Sequence, residues 1–369
     1  MPKIVRIRRR SSKKTAKNPT DQGGKSTRRN RSLFQGKYKS VWNFWDDGVS
    51  SSILYMFLNS LEEARLKLVY GFRSRGEPIY FAFGTCMHWM LEKLYEKGTL
   101  PTMKQRKRLL VQYGKAWSKD CPRPTMYQTQ QQELVRGLAS VVLPAYCQRW
   151  AGDFKGGKYP VRTVTAQPHT WASLETRFRV PYTFPDGAQT WLNGTRDALF
   201  LTRKLDPWGF DNKCLKIIKP DDITDTMPVD LQMMFYVLAM YLEGEFVPCG
   251  IIKNIIRRPG QVRNSSETLK GYLGRVALDV QNRKKWDHYF QRYQLKISKA
   301  EVMTWRMQWL DPIMLDMRLW WEGKRPTYPN PLTLLTKYGR SDMFDAIVYG
   351  NTDALMKQKS VMDYQSKLA

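Results

Sequence analysis

Long apolar runs are missing from this 369-residue chain: no stretch approaches the ~18 to 20 consecutive apolar residues that span a bilayer. That excludes a membrane-spanning helix and leads to the expectation of a soluble, cytoplasmic protein with no membrane partner. Cysteine is sparse and unpatterned. Cys86, Cys121, Cys147, Cys214 and Cys249 form no C-x-x-C pair, their number is odd, and no signal peptide is evident. A zinc ribbon and a disulfide framework are both disfavoured. Histidine is scarcer still, with only His88, His169 and His288, so a zinc site is not expected. Internal repeats are absent as well.

Acidic residues are the other shortage. Lys and Arg number 61 against 33 Asp and Glu, a formal charge of +28. Residues 1–40 hold 14 of the basic residues and one acid, Asp21, which is +13 and leaves +15 for the rest. Both tail and body are therefore basic, and a polyanion is the natural partner, because neutralising phosphates releases condensed counterions. A membrane surface is the competing partner, but Ser11-Ser12-Lys13-Lys14 and Arg28-Arg29-Asn30-Arg31 supply no apolar helical face. A mitochondrial presequence is opposed by Pro19 and Gly23-Gly24. The first 40 residues read as a basic, disordered tail.

Chemistry concentrates between Gly194 and Tyr236. Leu192–Leu201 is rich in β-formers around one acid, Asp197, and Phe210–Ile218 is a second strand-like run carrying Asp211-Asn-Lys213. Side chains two apart on a strand share a face, so Asp211 and Lys213 point the same way, with Asp197 arriving from the neighbouring strand. Two carboxylates and an ammonium around one point suit a metal-dependent phosphodiesterase. The tripeptide alone is weak, since Asp153-Phe-Lys155 and Glu322-Gly-Lys324 repeat it and such pairs are ordinarily solvated. Only the middle copy has an apolar strand context, an upstream strand-borne Asp and a downstream apolar helix. In that helix, Leu231–Leu242, Gln232 must find hydrogen-bond partners, because an unpaired buried amide costs about 1 to 3 kcal/mol. Upstream, a helix over Phe83–Glu96 puts His88 and Glu92 one turn apart, within reach of one ion.

With these residues in view, the chain resembles the RecB-type branch of the PD-(D/E)XK nucleases, particularly its phage-encoded exonuclease-like members, over most of residues 49–350. The resemblance implies that Gly84-Thr-Cys-Met-His88-Trp-Met-Leu91-Glu92 is the first motif, with His88 a metal ligand. Gly194-Thr-Arg-Asp197 is similar to the second, with Asp197 a ligand. Asp211-Asn-Lys213 is similar to the third, with Asp211 a ligand and Lys213 catalytic. Gln232-x-x-x-Tyr236 matches the segment implicated in holding DNA near the metal. Two literal Pro-Asp pairs compete for the second motif: Pro220-Asp221 fails on order, and Pro185-Asp186 lies in a Phe-Pro-Asp-Gly turn signature. Glu175, on a strand preceding the second motif, is a possible accessory acid, and Arg257-Arg258, where a strand ends at Pro259, are candidate DNA contacts.

The implied fold is α/β: a small central mixed sheet flanked by helices, restriction-endonuclease-like, spanning residues 41–350. It carries a helical insertion at about 101–150 and a helical part at about 265–350, followed by a C-terminal tail, 351–369. The implied cofactor is Mg²⁺ or Mn²⁺, the implied partner DNA, single- or double-stranded, with a recombination protein as a possible second partner and the host cytoplasm as the place if the chain is phage-encoded. Many relatives hold an iron–sulfur cluster; here Ser60, Leu335, Ser341 and Val348 stand at the cysteine places, so no cluster is expected and the two ends must be joined by packing. The alternatives are a decayed nuclease that only binds DNA, an endonuclease or structure-specific nuclease, and a basic RNA-binding or structural factor using its tail alone. Cys214, where relatives carry Thr, favours the first.

Overall fold

A computed structural model describes residues 40–74, 79–154, 170–201, 206–244, 247–336, 339–353 and 355–357. The basic tail up to residue 39, Lys155, His169 and residues 358–369 lie outside the described residues. In chain order the elements are α1 (Ser51–Asn59), α2 (Leu61–Ala64), β1 (Phe72–Ser74), α3 (Ile79–Lys97), α4 (Met103–Asp120), α5 (Met126–Arg149), β2 (Thr170–Thr183), β3 (Gln189–Leu201), β4 (Pro207–Leu215), α6 (Pro220–Thr226), α7 (Leu231–Glu243) and β5 (Gly250–Arg257). They are followed by α8 (Leu269–Val280), α9 (Trp286–Tyr289), β6 (Phe290–Lys296), α10 (Lys299–Trp305), α11 (Asp311–Trp321), α12 (Pro331–Leu334), β7 (Leu335–Thr336), β8 (Gly339–Arg340), α13 (Phe344–Tyr349) and β9 (Leu355–Lys357).

Five strands form one mixed sheet in the order β2-β3-β4-β5-β6. Its only parallel pair among the described residues is β4–β5, joined by the α6–α7 crossover that such a pair requires. Strand β5 shows why the sheet is covered on both sides: Ile251 and Ile255 enter one core with α7, while Ile252 and Ile256 enter the other with α3, α5 and α8. Helix α7 is apolar nearly all round and correspondingly buried from Met233 to Met240. Asp230 caps its start, and Gly244, at φ 74, closes its end. This is the mixed α/β architecture expected.

Val41-Trp42-Asn-Phe44-Trp45 docks on the body. Trp42 and Phe44 are buried, Trp42 meets Trp321 edge-on at 5.2 Å, and its indole N–H donates to the Gly48 carbonyl at 2.9 Å. Gly48, at φ +73, lies so close to Trp191 that a Cβ there would stand 2.5 Å from its carbonyl oxygen.

Two expectations need correction. The part expected to be helical at about 265–350 is not so throughout, because β6 closes the sheet. Its Phe290 and Arg292 share one face and Tyr293 takes the other, a period-2 pattern hidden among aromatic residues of the flanking helices. The helices expected at 101–150 are α4 and α5, and α5 buries Val135, Leu138, Val142 and Tyr146 under the sheet. The C-terminal tail does not begin at 351, since β9 pairs with β1 and Leu355 is buried with Leu66 and Met343. The two ends are further joined where Asn330 and Thr333 donate to the Asn59 carbonyl. Of the four cysteine places, Ser60 caps α2 through the Glu63 N–H, Ser341 reaches the Glu63 carboxylate, and Leu335 and Val348 are exposed.

Candidate metal centre

The site lies where two strands part. β3 pairs with β2 along nearly its whole length but with β4 only through Ala198–Leu201. Just before that short ladder, Asp197 fills the fork: its Oδ2 accepts the Asn212 backbone N–H of β4 at 2.6 Å, replacing the missing strand partner. A carboxylate is thereby fixed at the mouth of the fork, next to Asp211.

From one side comes α3, whose buried Met87, Met90, Leu91 and Leu94 seat it under the sheet. His88 is left at the rim, with Nδ1 3.4 Å from Asp197 Oδ2. Glu175 approaches from β2, in the place opposite Asp197 between the pairs Leu174↔Ala198 and Thr176↔Arg196. Its φ of 44 is the one left-handed backbone among non-glycine residues of the described chain, a strained setting for a strand glutamate. One ligand atom from each of His88, Glu175 and Asp197 lies within 4.8 Å of the others.

From the other side comes α7, held by its cap. Asp230 Oδ1 accepts from the Gln232 and Met233 N–H groups at 3.0 and 3.1 Å, while its Oδ2 accepts from Lys253 of β5 at 2.6 Å. Gln232 and Tyr236, one turn apart, thus face β4. Lys213 Nζ donates to Asp211 Oδ1 at 2.9 Å and to Gln232 Oε1 at 2.7 Å, and Gln232 Nε2 donates to the Tyr236 hydroxyl at 2.7 Å. Gln232 therefore uses both ends of its amide, as its place in an apolar helix required.

Asp211 is fully buried, and its second oxygen, Oδ2, has no hydrogen-bond partner among the described residues. Burial pushes its carboxyl above the ordinary range, Lys213 pulls it down, and nearby Asp197 pushes it up again. For Glu175, burial first and then Asp197 and Glu92 raise the carboxyl to about 8. Burial works against the Lys213 ammonium, yet the charges of Asp211 and Asp197 outweigh it and hold its pKa above the usual lysine value. Three carboxyl groups thus crowd the fork beside one ammonium. The Asp197 and Glu175 carboxylates with the His88 imidazole are the grouped donors, and their oxygen-rich chemistry fits a hard divalent cation such as Mg²⁺ or Mn²⁺.

Other candidates stand apart. Glu92 does not join His88: its carboxylate turns to Lys93 at 2.7 Å, and Glu175 occupies the place expected for it. A single neighbouring ammonium is enough to divert a long, flexible side chain. Asp186 sits in the β2–β3 turn, 2.7 Å from Arg318, and Asp221 lies in the first turn of α6. Arg257 donates to the Lys216 carbonyl at 3.0 Å at the sheet rim, and the Arg258 backbone N–H donates to the Leu215 carbonyl at 2.8 Å. Glu322 and Lys324 form a surface pair, whereas Asp153 is not solvated as expected but paired inside the protein with Arg292.

That last pair belongs to a network sequence reasoning missed. Arg292 Nε donates to Asn254 Oδ1 at 2.9 Å, and Asn254 Nδ2 donates to Asn212 Oδ1 at 2.7 Å and the Tyr146 hydroxyl at 2.8 Å. Asn212 is the residue whose backbone N–H holds Asp197. The available signal was Asn254 in Ile251-Ile-Lys-Asn-Ile-Ile256, a polar side chain in a strand buried on both faces.

No protein-family model and no curated protein matches the chain. Among solved structures, the chain is similar to the crystal structure of SSO0001, with 13% identity and a TM-score of 0.26, over 63% of this chain and 85% of that one.

Proposed function

We propose that the chain is a divalent-metal-dependent deoxyribonuclease of PD-(D/E)XK type that hydrolyses DNA phosphodiester bonds, acting as an exonuclease. The observation that carries this reading is the fork itself: ligand atoms of His88, Glu175 and Asp197 lie within 4.8 Å of one another, and Asp211, whose Oδ2 has no hydrogen-bond partner among the described residues, anchors the Lys213–Gln232–Tyr236 chain. His88, Asp197 and Asp211 would hold the ion, with Glu175 accessory, and the ion would supply Lewis-acid polarisation and a more acidic bound water. Lys213 is fixed by two acceptors, and a charge held this way would stabilise negative charge developing on the attacked phosphate without reorganisation. Gln232 orients that ammonium and Tyr236 orients Gln232. The formal charge of +28 supplies nonspecific attraction to the polyanion. The exonuclease mode rests on the chain's resemblance to the phage-encoded exonuclease-like members of the RecB-type branch.

The test uses purified protein with end-labelled linear duplex and covalently closed circles, in Mn²⁺ and in EDTA. Linear DNA should be degraded only with metal, and circles should persist. Asp197→Asn should lower cleavage about a hundredfold or more while DNA binding in EDTA remains. Cleavage in EDTA, or full activity of Asp197→Asn, overturns the assignment.

A further inference from the structure

Helix α4 is charged in one sense. Between Met103 and Lys119 it carries Lys104, Arg106, Lys107, Arg108, Lys115 and Lys119 and no acid; Asp120 is its last residue. Lys104, Arg108, Lys115 and Lys119 recur at intervals of four, seven and four, which sets them on one exposed side of the helix. They extend over about 22 Å at a rise of ~1.5 Å per residue. Among the described residues no acid pairs with any of the four. The setting differs on other helices, where Arg275 meets Glu267, Lys285 meets Asp279 and Arg318 meets Glu322. The opposite side of α4 is consumed by the fold: Leu109 and Tyr113 are buried, and Tyr113 packs on Trp89 at a ring separation of 5.7 Å. Trp89 follows His88, so the cationic stripe belongs to a helix seated directly against the one that borders the fork.

We infer that this side of α4 is a track for the phosphate backbone of duplex DNA flanking the cleaved bond. The partner class rests on the function proposed above, but the binding can be measured without catalysis. Four evenly oriented cations with no paired acid among the described residues match a polyanion. An anionic membrane is the poorer fit, because Met103 and Val111 are the only large apolar side chains α4 exposes among the described residues, too few for an inserted face.

The experiment compares the full-length chain with two fourfold variants of equal charge change. One is K104Q/R108Q/K115Q/K119Q; the other, K270Q/K284Q/K296Q/K299Q, removes exposed cations elsewhere. Duplex affinity is measured in EDTA from 50 to 200 mM salt, with circular dichroism confirming the fold. Loss of four phosphate contacts should lower the slope of log K against log salt by about 3 to 4 for the α4 variant, and by less than about one for the other. Equal loss in both variants, or an unchanged slope for the α4 variant, overturns the inference. So does a loss confined to binding of phosphatidylserine vesicles. Because no metal is present, a chain that binds along α4 yet never cleaves would refute the nuclease reading alone.

Discussion

Replacing Arg292 with Met tests how the sheet holds its acids. Arg292 and Asp153 are 5% and 0% exposed, so neither charge is solvated. The guanidinium binds both Asp153 oxygens, donates to Asn254, lies near the Tyr95 and Tyr146 hydroxyls, and stacks over Trp150 at 4.0 Å. Met fills much of the volume but leaves Asp153 with the Tyr95 hydroxyl, at 3.1 Å, as its remaining described hydrogen-bond donor. Stranding one half of a buried pair costs about 3 to 5 kcal/mol, a large part of the ~5 to 15 kcal/mol that keeps a domain folded. Urea denaturation of wild type, R292M, D153N and R292M/D153N closes a double-mutant cycle. Because D153N removes the stranded charge, the double variant should be more stable than R292M, with a coupling of about 2 kcal/mol or more. Additive losses, or a loss below about 1 kcal/mol for R292M alone, would refute the idea that this pair sustains the core beneath the site.

Glu175→Gln should stabilise the metal-free protein in a pH-dependent way. The folded value of about 8 lies above the ordinary 4.5, so between these the folded chain keeps a proton the unfolded chain has released, and wild-type stability falls as pH rises through that window. Thermal melts in EDTA should show the variant level with wild type below pH 4.5 and ahead by about 2 to 4 kcal/mol near pH 8; a difference independent of pH would remove Glu175 from the crowded fork. Tyr236→Phe deletes the acceptor of Gln232 Nε2 and should cost about 1 kcal/mol of unfolding free energy in urea denaturation, with kcat reduced more than KM is raised. An unchanged kcat would show that Lys213 does not depend on the Gln232–Tyr236 link.

Much of this arrangement could be read from local pattern. A strand's period of two is enough to put Asp211 and Lys213 on one side, and an apolar helix with a glutamine in it demands partners for that amide; both follow from neighbours within a few residues. Individual strands were legible for the same reason, since β3, β4 and β5 are apolar runs with clear ends, whereas the mixed sheet they form was implied by the family resemblance. Other features depend on positions far apart. Whether Glu92 or Glu175 turns to His88 is decided by Lys93 beside the first and by a strained backbone at the second, and no spacing rule encodes either. β6 was obscured because its aromatic residues continue the composition of the helices around it. Asp153 is the sharpest case. Asp-Phe-Lys at the end of a helix has the composition of an ordinary surface pair. The cation that makes this carboxylate internal lies 139 residues away, on the edge strand. From Arg292 the constraint passes through Asn254 and Asn212 to the N–H that holds Asp197. The residue that sets the fork's geometry therefore answers to a charge pair buried beneath the sheet, which is why perturbing Arg292 and Asp153 should alter metal affinity as well as stability.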